Sequence, residues 1–231
     1  MKRISGWLLK GLAIAALAAI TLELLIFAQV LWWSRYDPSS TSFMAIRLEE
    51  LEEKNPDASL RHQWVPYEKI SVHLKRAVVA AEDDRFLDHE GFDWDGIQKA
   101  IEKNQKKGHA VAGGSTISQQ LAKNLFLTPT RTPWRKAEEA LITLMLEAVW
   151  SKQRIFEVYL NVIEWGNGVF GAEAAARHYY GIAAAQLSAE QAARLAGMVP
   201  SPRFYDRNRN APGLARKTAI ILARMPAADV P

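Results

Sequence analysis

Three short runs of this 231-residue chain hold residue types that do acid–base and electrostatic chemistry. The first is Gly113-Gly114-Ser115-Thr116-Ile117-Ser118-Gln119-Gln120-Leu121-Ala122-Lys123-Asn124. Thr116 and Gln119 have capping-box spacing, which predicts a helix start at Ile117. A glycine turn feeding a helix N-terminus aims unpaired N–H groups forward and suits an anion, phosphate or carboxylate. Gln119 and Lys123, like Gln120 and Asn124, are four apart and form polar ridges beside the apolar row Ile117, Leu121, Leu125. An ordinary capped amphipathic helix carries the same pattern. The second run is Glu82-Asp83-Asp84, behind an apolar helical stretch that begins at Ser71. Acids at a helix C-terminus oppose the dipole, and a costly local arrangement hints at function; a solvated acidic loop is the alternative. Asp83 and Asp84 are expected to raise the pKa of Glu82. Phe86 is expected to pack that loop, and His89 to bond to the acids or the backbone. The third run is Arg135-Lys136 with Glu139, at i,i+4 and i,i+3 spacing. It reads either as a surface ion-pair cluster or as cations waiting for an anion, with Lys123 as a third. Two carboxylate sites beside clustered cations suit an acid/base step next to a phosphate-bearing group.

The rest of the chain must position these runs. Residues 11–33 are almost uninterrupted apolar sequence, long enough to span a bilayer. Lys2, Arg3 and Lys10 precede them and Trp32-Trp33 close them, so the positive-inside bias puts residues 1–10 in the cytoplasm and the remainder outside. A cleaved signal peptide is the alternative. Glu23 lies inside the span and is given no role. Residues 34–64 read as a connector, with a turn at Asp37-Pro38 and a short charged helix from Phe43 to Lys54. Residues 65–231 read as the main domain. Asp95 and Gln98 have capping-box spacing for a helix with Ile97, Ala100 and Ile101 inward. Its other side carries Lys99, Lys103, Lys106 and Lys107, a solvated face or one for lipid headgroups. Residues 108–112 are expected to be mobile. Thr132-Pro133 starts the next helix, with Ala137, Leu141, Leu144, Met145 and Ala148 inward. Ser151 starts another, with Ile155, Phe156, Tyr159 and Leu160 on one face. A turn at Gly166-Asn167-Gly168, a helix stopped by Gly181, one capped by Ser188 and Gln191, and a last one after Asn210 with Leu214, Ile221 and Leu222 inward complete the pattern. No alternating strand run stands out, so the fold class is mainly α, one compact helical domain behind a single N-terminal transmembrane helix. There is no cysteine, which excludes disulfides and thiolate metal sites. The net charge of +4 resides partly before the span, and the rest is close to balance, which does not argue for nucleic acid.

Taken together, these residues resemble the motifs of the peptidoglycan glycosyltransferase family (glycosyltransferase family 51). Glu82-Asp83-x-x-Phe86-x-x-His89-x-Gly91 is similar to the first motif, and Gly114-Ser115-Thr116-Ile117-x-Gln119-Gln120-x-x-Lys123-Asn124 to the second. Arg135-Lys136-x-x-Glu139 resembles the third, and Arg154-Ile155-x-Glu157-x-Tyr159-x-Asn161 the fourth, followed by Gly171-x-Glu173-Ala174-Ala175-Ala176. The resemblance covers most of residues 65–205. It implies a lysozyme-like helical fold on a bacterial inner-membrane anchor with the catalytic domain in the periplasm. It implies polymerisation of lipid II into β-1,4-linked glycan with inversion and release of undecaprenyl diphosphate. The implied partners are lipid II, the nascent glycan chain, the lipid bilayer and other cell-wall synthesis proteins. Glu82 would be the general base on the acceptor 4-hydroxyl. Lys123, Arg135 and Lys136 would neutralise the donor diphosphate, and Glu139 would organise that end through a divalent cation such as Mg²⁺. Gly114, Ser115, Thr116, Gln119, Gln120 and Asn124 would line the donor cleft, and Asp83, Phe86 and His89 would also bind substrate. No transpeptidase domain is expected after Pro231. The sequence departs from the family at Ala110, Val111 and Ala112, where basic residues are usual, and His109 is the nearby substitute.

Two other readings compete. A membrane-anchored muramidase or lytic transglycosylase would need an acid against a glycosidic oxygen and would have no use for cations around a diphosphate. A non-catalytic cell-wall scaffold would be indifferent to the loss of Glu82.

Overall fold

The structure is a computed structural model that describes residues 2–108, 113–130 and 132–231, with side chains from residue 6 onward. The expectations for residues 109–112 therefore lie outside the described residues. Two compact units divide the chain, Met1–Asp37 and Pro38–Pro231.

The first unit is one helix, α1 (Lys2–Trp33). Its stretch Gly6–Trp33 is long and apolar enough to cross a membrane. Leu12, Leu17, Ile20 and Leu24 are all exposed along it, which is consistent with membrane anchoring.

The second unit begins earlier than the expected boundary at residue 65. Helix α2 (Ser42–Glu52) is capped by Thr41, whose Oγ1 accepts from the Met44 N–H. Strand β1 (Arg61–His62) lies parallel to β3 (Val169–Phe170), which pairs antiparallel with β2 (Glu164–Gly166). Residues 38–64 thus belong to the domain rather than to a connector. Strands of two or three residues are too short to show an alternating pattern, so the sequence hides them. The rest is helical, as expected.

Helix α3 (Val72–Glu82) packs against α9 (Ala189–Met198) and α11 (Pro212–Arg224). Helix α5 (Ile117–Phe126) packs against α6 (Pro133–Val149) and α7 (Lys152–Val162). The start signals at Thr116, Thr132, Ser151 and Ser188 each accept from the helix backbone they cap. Helix α7 is buried on nearly every side, with Ile155, Phe156, Val158, Tyr159 and Leu160 wholly inside. Asn161 near its end is fully buried; its amide accepts from the Val65 N–H at 2.9 Å and donates to the Val65 carbonyl at 2.9 Å. The fourth motif is thus largely scaffold.

Sequence expectations for three helices need correction. In α6 the inward stripe is Glu139, Ile142, Thr143 and Leu146, while Ala137, Leu141, Leu144 and Ala148 are exposed and Met145 only partly buried. Apolar periodicity points to the wrong face because the true one carries a buried carboxylate. In α4 (Trp94–Lys107) the N-cap is Asp93; Asp95 instead accepts from Arg85 at 2.7 Å, so no Asp95–Gln98 box forms. Ala100 of that helix is buried, but Ile101 is exposed. In α11, Leu214 and Ile221 face inward, and Leu222 faces out.

The remaining helices are α8 (Ala172–Tyr180), ended by a left-handed Gly181, and α10 (Pro202–Arg207). Gly171 before α8 has φ +84°, and a Cβ there would lie 2.7 Å from the Asn161 carbonyl oxygen. Gly171→Ala is therefore expected to cost roughly 2 kcal/mol or more, read as a lower midpoint in urea unfolding of the domain.

Candidate active site

The acidic loop and the glycine turn meet through Asp83. It follows the last residue of α3 and is 8% exposed. Its Oδ2 accepts from the Ile117 N–H, the first residue of α5, at 2.9 Å. His89 Nε2 donates to Asp83 Oδ1 at 3.0 Å, while His89 Nδ1 accepts from the Gly91 N–H at 3.2 Å, which fixes the imidazole as the Nε2–H tautomer. Thr116 Oγ1 donates to the Gly91 carbonyl at 2.7 Å, closing the loop onto the turn.

The anion expected at the N-terminus of α5 is therefore the protein's own Asp83, stabilised there by the helix dipole. The polar atoms of Asp83 and His89 are engaged with each other, with the Gly91 N–H and with the Ile117 N–H, and Asp83 also lines a small chamber beside Glu82. Phe86 is buried against Phe156, ring centroids 5.6 Å apart, and serves packing. Thr116 and Gln119 are buried and bound to each other in the capping box. Gly114 permits close approach, since a Cβ there would lie 3.1 Å from the Ile97 Cα.

Glu82, the residue before Asp83, faces a different partner on α5. Gln120 Nε2 donates to Glu82 Oε2 at 2.8 Å. The orientation of that amide is set from behind: the Tyr159 hydroxyl donates to Gln120 Oε1 at 2.8 Å. Burial raises the Glu82 pKa above the ordinary carboxylate value, opposed by the Gln120 bond and by the positive fields of Lys217 and Lys123. Asp83 adds only the smallest push, and Asp84 is exposed. The cause is desolvation rather than acidic neighbours.

Next to Gln120 runs a cleft of about 1130 Å³, lined in part by Ser115, Gln119, Gln120, Lys123, Asn124, Arg135, Lys136 and Glu139. A smaller chamber of about 190 Å³, lined by Glu82, Gly114, Ser115 and Thr116 among others, shares Ser115 with it. Glu139 is only 3% exposed, and Arg135 holds one of its oxygens at 2.6 Å while Lys136 holds the other. Lys136 Nζ also donates to Ser115 Oγ at 3.3 Å, linking α6 to the glycine turn. Burial pushes the Lys123 ammonium below the ordinary lysine value; Glu139 opposes this and Arg135 and Lys136 add to it. Among the described residues Lys123 has no carboxylate within ion-pair distance. The cleft as a whole carries six cationic side chains against three carboxylates. It can bind a polyanion, and the fixed cations can stabilise negative charge that develops on it.

Hard cations take several oxygen ligands, and no group of three His, Cys, Asp or Glu side chains stands together among the described residues. No ready-made cage for a divalent cation therefore stands among them; a magnesium ion that arrives with a diphosphate needs only one or two carboxylates. Glu139 is a single carboxylate whose two oxygens already accept from cations. It pairs with Arg135 and Lys136 at the cleft.

Sequence reasoning misses Phe43, Arg47, Glu164 and Arg203, all of which line the cleft. They lie outside the three charged and glycine-rich runs, and only folding brings them together. Tyr159 reads from its spacing as a core residue but not as the group that orients Gln120; its hydroxyl on a wholly buried helix is the available signal.

Comparison with known proteins agrees with this geometry. The transglycosylase family model matches residues 48–226. The "biosynthetic peptidoglycan transglycosylase" of Dechloromonas aromatica (strain RCB) is 70% identical over the full length of both chains. The protein of the same name from Methylobacillus flagellatus is 64% identical over 96% of this chain and 97% of its own. That of Azoarcus sp. (strain BH72) is 62% identical over the full length of both. The chain belongs to the transglycosylase family.

Because the Gln120 bond stabilises the charged form of Glu82, Gln120→Leu is expected to raise the Glu82 titration midpoint further. Infrared difference titration of the carboxyl band, against Glu82→Gln as blank, reads it; an unmoved midpoint would count against the bond.

Proposed function

We propose that this transglycosylase-family chain polymerises lipid II into β-1,4-linked glycan strands, with inversion at the donor carbon and release of undecaprenyl diphosphate. The observation that carries the reading is a desolvated carboxylate, Glu82, held by an oriented amide beside a cleft rich in cations. A base that works near neutral pH needs a raised pKa, and burial supplies it. Glu82 takes the proton of the acceptor 4-hydroxyl as the oxygen attacks the donor anomeric carbon. The bond from that carbon to the diphosphate oxygen breaks with its electron pair, and the leaving group carries the developing charge. Lys123, Arg135 and Lys136 meet that charge. Ser115, Gln120 and Asn124 line the donor side. Lys123, without a carboxylate partner of its own, is the cation freest to change partners when the diphosphate arrives.

A glycan-cleaving enzyme would gain nothing from two cations fixed on one glutamate with a third, Lys123, lining the same cleft, which favours synthesis over cleavage. A scaffold has no use for a desolvated carboxylate held by an oriented amide.

The apolar helix supports membrane anchoring. Lys2, Arg3 and Lys10 before the span, none of which has a counterpart just after Trp33 except Arg35, favour a cytoplasmic N-terminus and a catalytic domain on the outer side of a bacterial inner membrane. A polyprenyl-linked substrate suits such a site. Other cell-wall synthesis proteins remain candidate partners through the span.

The test is polymerisation of purified lipid II by the full chain. Glycan strands are expected from the wild type, and Glu82→Gln is expected to slow them roughly 10²–10⁴-fold. Glu82→Gln also removes a buried charge whose raised pKa withholds stability as pH rises through it, so the variant should melt no lower than wild type at neutral pH. A wild type that left lipid II unpolymerised but cut finished glycan would overturn the reading.

A further inference from the structure

Lys123 is held in place from a part of the chain that carries none of the catalytic motifs. Phe43, Ile46, Arg47 and Glu50 recur at helical spacing and give α2 one face on the cleft. The Lys123 ammonium lies over the Phe43 ring, 5.6 Å from its centroid. One turn along, Arg47 is buried and pairs with Glu164 of β2, Nε to Oε1 at 2.9 Å and NH2 to Oε2 at 3.4 Å. Its NH1 binds Glu50, and Arg203 of α10 reaches Glu50 at 3.4 Å and Glu164 at 3.8 Å. Glu164 follows directly on α7 and the Ile163 that ends it, the helix whose Tyr159 orients Gln120. A forked guanidinium–carboxylate pair fixes orientation as well as distance, so α2 is locked to the segment that also carries the base's support.

We propose that α2 is a positioning element for the reaction: the Arg47–Glu164 pair fixes the helix, and Phe43 sets the place of the Lys123 ammonium in the cleft. Both α2 residues precede the stretch matched by the family model, which starts at residue 48. Neither touches the reacting atoms. They act through Lys123, whose charged surroundings are Glu82 from α3 and Arg135, Lys136 and Glu139 from α6. α2 itself brings the ring and the Arg47 guanidinium to the same wall. An ammonium left to wander by an ångström loses much of its hold on a leaving group, a displacement worth up to ~10²-fold in rate.

The inference rests on the polymerase reading, and its test separates the two. In Phe43→Ala, water reaches Lys123 and relieves its desolvation, an effect larger than the loss of a ring at 5.6 Å. The Lys123 titration midpoint, followed by NMR with lysine labelled at Nζ, is then expected to rise; Arg47→Met should raise it in the same direction. With lipid II, Phe43→Leu and Arg47→Met are expected to lower kcat roughly tenfold or more, with KM changed much less; Phe43→Leu should melt close to wild type, whereas Arg47→Met, which leaves Glu164 without its forked partner, should melt lower. A Lys123 midpoint unmoved in both variants, or kcat equal to wild type, would overturn the proposal. A wild type that polymerises nothing would instead defeat the polymerase reading, while the titration still decides whether α2 positions Lys123.

Discussion

One buried carboxylate joins the two halves of the site. Asp83 ends α3 and begins α5 in the same contact, accepting the Ile117 N–H with one oxygen and the His89 N–H with both. A charge taken out of water is costly unless its lone pairs are filled. Here a helix N-terminus and an imidazole fill them, and the cost becomes a geometric constraint. With Asp83 fixed, Glu82 one residue earlier has nowhere to go but beside Gln120, which stands one turn into α5. Glu82 is placed by its neighbour's engagement and by the Gln120 amide.

The same logic runs through the cleft. Among the described residues, every cation there other than Lys123 and Arg207 is tied to a carboxylate, and each carboxylate is shared: Glu139 by Arg135 and Lys136, Glu50 and Glu164 by Arg47 and Arg203. Shared partners keep the cations from repelling one another apart while leaving a positive surplus for a polyanion. The site is preorganised, so little rearrangement is required as charge moves to the leaving group. Behind it, α7 supplies the Tyr159 hydroxyl from the centre of the core, so the orientation of the Gln120 amide depends on packing far from solvent.

Much of this is legible in the order of the residues alone. The capping signals at Thr116, Thr132, Ser151 and Ser188 place four helices because they rest on local hydrogen bonds between neighbours in sequence. The charged runs at Glu82, Lys123 and Arg135 come together in the cleft or beside it. What stays hidden is whatever depends on distant partners. The glycine turn reads as open to an external anion, but Asp83, more than thirty residues earlier, already occupies that helix end. The inward face of α6 is hidden because Glu139 is buried among cations that sequence periodicity cannot weigh. Arg47 and Glu164 are over a hundred residues apart and look like ordinary surface charges until the fold joins them.

The measurement that bears most directly on this account is the pH dependence of kcat/KM for lipid II polymerisation by the full chain. Desolvation of Glu82 is the central claim, and a base must lose its proton before it can take another. The rate should fall on the acid side through a midpoint clearly above the ordinary glutamate value of about 4.3, because burial raises it. An acid limb at the ordinary value, or a rate flat from there to neutral pH, would contradict the account.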